Sequence, residues 1–169
     1  MKWSKSVLSI ASIAVLGILA LGITSTPAFA ASTTANLGIS ANVSATCVAG
    51  TTAVQFGPYT GATSVSAIGA VTVTCTNSTT YTVSLNAGNG STATVAIRQM
   101  QNGSALLNYA LYKDSVMSIL WGDGTTGTFT VAGTGNGQAQ PISVYGQIPA
   151  LQYPTPGSYV DSVLATISY

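Results

Sequence analysis

Apolar residues recur at every second position near both ends of this chain, and neither run has an evident partner in the adjacent sequence. At the front stand Leu37, Ile39, Ala41 and Val43; at the back stand Tyr159, Val163, Ala165, Ile167 and Tyr169. A period of two is the pattern of a β-strand with one buried face, and such a strand also needs its edges paired or protected. An unpartnered strand at each end, in a chain with almost no ionisable chemistry, implies a molecule that completes a neighbour's sheet. It points to assembly and away from catalysis.

Between those ends, turn residues punctuate the sequence at the short intervals of sandwiches and barrels. Strand regions are predicted over residues 36–48, 54–56, 67–75, 81–85, 93–97, 106–112, 119–121, 129–131, 142–148 and 158–169. In the third of these Val71, Val73 and Cys75 share a face, and in the fourth Tyr81, Val83 and Leu85 do. Asn102-Gly103 is a strong hairpin signal, and Gly133, Gly135 and Gly137 mark a glycine-rich hairpin loop. No segment after residue 30 carries a 3.6-residue stripe. The enrichment in β-branched residues, with nearly half of all residues apolar, predicts an all-β domain with a buried core.

The first 30 residues read as a secretory leader: Lys2 and Lys5, an apolar run over residues 7–23, and an Ala-x-Ala pattern ending at Ala30. Export makes a disulfide the expected state of the two cysteines, Cys47 and Cys75. After the leader, Arg98 and Lys113 face Asp114, Asp123 and Asp161, leaving one net negative charge. That balance offers no basic patch to neutralise phosphates, so nucleic acid is not an expected partner.

The chain contains no histidine and no glutamate. Ser-His-Asp and Cys-His catalysis are therefore excluded; without histidine or CxxC spacing a zinc site is not expected, and neither is a cofactor. Asp114 and Asp123 read as turn residues, and Asp161 as an acceptor for nearby backbone donors. Tyr109, Tyr112, Trp121 and Tyr145 could form a sugar-binding platform, against which stands the simpler reading that they fill the core.

Several stretches, in order, carry a resemblance. They are Ser44-Ala45-Thr46-Cys47-Val48, Val54-Gln55-Phe56-Gly57-Pro58-Tyr59, Val71-Thr72-Val73-Thr74-Cys75 and Tyr81-Thr82-Val83-Ser84-Leu85-Asn86-Ala87-Gly88. After Arg98-Gln99-Met100 come Leu107-Asn108-Tyr109-Ala110-Leu111-Tyr112-Lys113-Asp114, Trp121-Gly122-Asp123-Gly124, Val144-Tyr145-Gly146 and Gly157-Ser158-Tyr159-Val160-Asp161. With these the chain resembles the spore coat U domain proteins, a group that includes major pilins of archaic chaperone–usher pili. The resemblance covers residues 36–169.

The resemblance implies an incomplete immunoglobulin-like β-sandwich of the pilin type, completed by a donor strand and carrying a Cys47–Cys75 disulfide. It implies an N-terminal donor extension over residues 31–43 with Leu37, Ile39, Ala41 and Val43 as plugs, followed by the domain over residues 44–169. The acceptor groove and chaperone contact would involve Val163, Ala165, Ile167 and Tyr169, the last through its carboxylate. The implied partners are other copies of the chain, a periplasmic chaperone and an outer-membrane usher. The implied route runs through the periplasm to a surface fibre used in adhesion and biofilm formation. The plugs are modest in size, with Gly38 and Ala41 within the segment, and a one-residue slip would reverse the strand's faces. Two rivals remain open at this point: a coat protein of the same fold whose arm fills its own groove, and a carbohydrate-binding sandwich.

Overall fold

The computed structural model describes residues 29–125 and 127–169; apart from Phe29 and Ala30, the expected leader lies outside the described residues. The chain divides into a segment ending at Ser40 and a body, Ala41–Tyr169. Residues 29–40 carry no strand or helix and are exposed throughout.

The body is all-β, with no helix among the described residues. Its strands are β1 (Cys47–Thr52), β2 (Val65–Cys75), β3 (Thr80–Leu85), β4 (Arg98–Asn102), β5 (Ala105–Tyr112), β6 (Val131–Thr134), β7 (Gln140–Ile148) and β8 (Ala165–Ser168). They form a five-stranded sheet, β1-β2-β7-β5-β4, and a three-stranded sheet, β6-β3-β8. Every ladder is antiparallel.

The period of two sorts each strand into faces. Val71, Val73 and Cys75 of β2, Tyr81, Val83 and Leu85 of β3, and Leu107, Tyr109 and Leu111 of β5 point into one core shared by the two sheets. Trp121 sits within it, 0 % exposed, its indole Nε1 donating to the Val83 carbonyl at 3.1 Å. Cys47 and Cys75 lie directly opposite each other in the β1–β2 register and are bonded. The disulfide therefore pins the start of β1 to the end of β2, and the bond itself is the one expected.

The Asn102-Gly103 signal marks a hairpin: Asn102 pairs with Ala105, leaving Gly103-Ser104 as a two-residue loop with Gly103 at φ 59°. Glycine in the first loop position is what a type II′ turn requires.

Elsewhere the strand boundaries differ from those predicted. Residues 36–46 hold no strand, and pairing begins at Cys47. Residues 54–56 have no ladder partner. Residues 93–97 form a turn in which the Ile97 N–H donates to Thr94 Oγ1 and the Thr94 N–H donates to the Ile97 carbonyl, so β4 starts only at Arg98. Residues 119–121 and 129–131 contribute isolated bridges, Tyr112 to Leu120 and Trp121 to Phe129, before β6 begins at Val131. Of residues 158–169, only Ala165–Ser168 joins a ladder, although Val160 makes one bridge to Gln101.

Candidate groove between two open sheet edges

β1 is the last strand on one side of the five-stranded sheet and β8 the last on one side of the three-stranded sheet. Beyond β1 the chain continues over residues 53–60, and residues 152–163 lead into β8. Between these two stretches runs a groove of about 1350 Å³. Small-molecule sites typically occupy about 300–1,000 Å³, so this one is the size of a peptide. Its floor is the core itself, including Val71, Leu107 and Val144.

Each wall is shaped by an identifiable cause. Val54, Phe56 and Tyr59 turn inward and pack on the core. They approach closely because Gly146 on β7 has no side chain: a Cβ there would come within 2.7 Å of both the Val54 and Phe56 side chains. The Tyr59 hydroxyl donates to the Pro149 carbonyl at 2.7 Å and accepts from the Gln152 N–H at 3.1 Å, tying this wall to the loop after β7. Gln152 in turn grips Asn108 on β5, accepting from its N–H at 2.8 Å and donating to its carbonyl at 2.9 Å.

On the other wall burial alternates through Tyr159, Asp161, Val163, Ala165 and Ile167, half-buried, while Val160, Ser162, Leu164 and Thr166 between them are exposed. Val160 exchanges both main-chain hydrogen bonds with Gln101. Leu164 turns both of its groups to Asn86, its N–H to Oδ1 at 2.8 Å and its carbonyl to the N–H at 3.1 Å. In an extended chain the residues between turn their N–H and C=O to the opposite edge. The main-chain groups of Tyr159, Asp161 and Val163 therefore face across the groove.

Asp161 is the polar feature of this wall. Its Oδ2 accepts from the Tyr109 hydroxyl at 2.7 Å, and Oδ1 accepts from the N–H groups of Asn89 (2.8 Å) and Ser162 (2.7 Å). It binds backbone donors, as its type and position predict. Burial and the hydrogen bond to Asp161 push the Tyr109 phenol well above its ordinary pKa. Arg98, 0 % exposed, closes the end of β3: Nε donates to the Asn86 carbonyl at 2.8 Å, and Nη2 donates to the carbonyls of Trp121 (2.9 Å) and Leu85 (3.4 Å).

Of the residues singled out from sequence, Val163 and Ala165 line the groove. Ile167 packs against the core just beyond it. Tyr169 is exposed beside a shallow depression formed with Tyr81, Ala132 and Thr134. The plugs Leu37, Ile39 and Val43 are 84–88 % exposed, and Ala41 is exposed as well. The four aromatics considered as a sugar platform do not share a surface. Trp121 and Tyr109 are buried in the core, whereas Tyr112 and Tyr145 pair on the outer face of the five-stranded sheet. Among the described residues no three His, Cys, Asp or Glu side chains gather as metal ligands.

Sequence reasoning does not single out the first wall, with Phe56 and Tyr59, as part of the candidate site. Its apolar alternation is visible in the sequence, but nothing local says that a strand-like segment will find no ladder.

The chain is 38 % identical over 160 residues to Protein U of Myxococcus xanthus, covering 85 % of this chain and 88 % of that one. Its fold is similar, with a TM-score of 0.56, to a chain of the CsuC–CsuE chaperone–tip adhesion subunit pre-assembly complex from the archaic chaperone–usher Csu pili of Acinetobacter baumannii. That likeness, at 22 % identity, covers 75 % of this chain and 40 % of the other. The family profile of the Spore Coat Protein U domain matches residues 33–166, and the chain belongs to that family.

Proposed function

We propose that this chain is an exported structural subunit that polymerises by donor-strand exchange into a chaperone–usher type surface fibre serving adhesion and biofilm formation. The observation that carries the reading is the peptide-sized groove with an apolar floor between two open sheet edges, along one wall of which the main-chain groups of Tyr159, Asp161 and Val163 have no main-chain partner among the described residues. A strand laid there gains a main-chain ladder from the edge, while its alternate side chains fill the pockets.

The arm over residues 31–43 has the complementary character: four apolar side chains in alternation, exposed to water. One subunit's arm in the next subunit's groove is a heterologous, head-to-tail contact, which grows a fibre instead of closing a ring. Before assembly the empty groove is an aggregation hazard. A periplasmic chaperone covers it, gripping the edge formed by Val163, Ala165 and Ile167 and the Tyr169 carboxylate, until an outer-membrane usher exchanges it for the next arm.

Deleting residues 31–43 tests the reading. The truncated subunit is expected to bind its chaperone and keep a groove that can receive an arm, but, with no strand to donate, it cannot be taken up by the preceding subunit. Normal fibres from that deletion would remove the arm from the mechanism.

A further inference from the structure

A bar of three side chains crosses the middle of the groove. On one wall the Phe56 ring meets the Tyr109 ring edge to face, with centroids 5.9 Å apart and planes at 64°. Tyr109, 5 % exposed, rises from the floor and reaches the opposite wall through its hydrogen bond to Asp161. The Asp161 carboxylate is itself fixed by the N–H groups of Asn89 and Ser162, so it cannot turn aside without losing them. Wherever this bar lies, an entering strand has room only for a small side chain.

The wall carries four inward positions along the groove, Tyr159, Asp161, Val163 and Ala165. The arm carries four plugs over the same seven-residue span, Leu37, Ile39, Ala41 and Val43. A strand of that length reaches about 20 Å. The smallest plug is Ala41, and the largest at the opposite end is Leu37, where the wall residue is only Ala165.

We infer that the arm of a second copy of this chain pairs antiparallel with this wall, with Ala41 opposite Asp161 at the bar. Ile39 then lies opposite Val163, Leu37 opposite Ala165, and Val43 opposite Tyr159. This register rests on the strand-exchange reading and deepens it. Antiparallel pairing matches every ladder in the molecule. A slip of one residue would turn Gly38, Ser40 and Asn42 inward. A slip of two in one direction drives Ile39 onto the bar. A slip of two in the other direction places Val43 there and pushes Leu37 beyond the groove.

Directly opposite residues on the outward face give a gentle test, because Ser40 and Ser162 are both small and exposed. In this register they form a non-hydrogen-bonded pair with a Cα separation of about 4.5 Å, within reach of a disulfide. The full-length chain, expressed in its own host, is expected to yield a non-reducing ladder of covalent multimers from S40C/S162C and from N42C/V160C. Ladders instead from S40C/L164C or S40C/V160C would overturn the register in favour of a slip; N42C/L164C in place of N42C/V160C would overturn the antiparallel direction.

A second arm substitution leaves the acceptor body untouched. Ala41→Leu is expected to lower polymer yield at least tenfold, while Val116→Leu, at an exposed position away from both the arm and the groove, leaves it unchanged. Native yield from Ala41→Leu would overturn the assignment of Ala41 to the bar. If the unmodified chain forms no polymer at all, strand exchange itself fails, a result read before any cysteine is introduced.

Discussion

The Tyr109 hydroxyl donates to Asp161 Oδ2 at 2.7 Å, joining the buried face of β5 to the stretch of chain that leads into β8. One bond thus links the five-stranded sheet to the wall of the groove. Tyr109→Phe keeps the ring and removes the donor, leaving a half-buried carboxylate oxygen unpaired. The expected loss is about 1–3 kcal/mol, read as a lowered urea midpoint with an unchanged slope.

The same phenol sets an alkaline limit. Burial first, and then the Asp161 carboxylate, hold Tyr109 protonated in the folded state above its ordinary pKa of 10.0. The unfolded chain releases that proton near pH 10 and so binds fewer protons than the folded one, which makes stability fall as pH rises further. Denaturant midpoints measured from about pH 9 to about pH 12 are expected to decline, and Tyr109→Phe is expected to decline less steeply.

The acid limb has a different origin. Desolvation is the largest single influence and raises the Asp114 pKa, but donation from the Ile119 and Ser118 N–H groups and the Ser118 hydroxyl together outweighs it and holds the group below 3.8. Asp123 is held below 3.8 by the Thr125 hydroxyl and N–H. Both contributions are present above the ordinary carboxylate pKa and are lost as pH falls through the depressed values. Stability is therefore expected to hold down to about pH 4 and to drop below it. Asp114→Asn and Asp123→Asn are expected to flatten that drop in an acid titration of the folded fraction.

Arg98 supplies donors to three carbonyls from a fully buried position. Burial lowers its pKa while Tyr109, Asp161 and Asp123 act to raise it. Arg98→Met leaves the carbonyls of Leu85, Asn86 and Trp121 short of donors and is expected to cost about 3–5 kcal/mol. Lysine cannot reproduce the planar fork, so Arg98→Lys should recover little of the loss. Cleavage by trypsin at Arg98, followed by mass spectrometry, should track global unfolding alone.

Replacing Cys47 and Cys75 together by alanine releases a cross-link between residues 28 apart. The chain-entropy estimate of the loss is about 3–4 kcal/mol, measurable by comparing denaturant curves of the variant and the native protein. Because Cys47 opens β1, the loss should fray the strand that continues into the Phe56 wall, detectable as faster amide exchange in residues 48–60.

Much of this architecture is legible without coordinates. Alternation alone identifies β2, β3, β5 and β7, because each has one face in the core and the period of two survives in the side chains. The Cys47–Cys75 bond is legible as the expected state of the two cysteines behind a leader-like N-terminal stretch. Alternation cannot say whether an extended segment has a partner, and so the pattern predicts strands over residues 54–56 and 158–164, which join no ladder.

What the residues determined by themselves is local: which positions face inward, where the chain turns, and the near-absence of ionisable chemistry. Tertiary structure decided which edges stay open. That is a property of pairings between residues far apart in the chain, such as β1 with β2 and β3 with β8. It also brought Phe56, Tyr109 and Asp161 into one line across the groove, because only folding brings positions so distant in the chain within hydrogen-bonding and van der Waals reach.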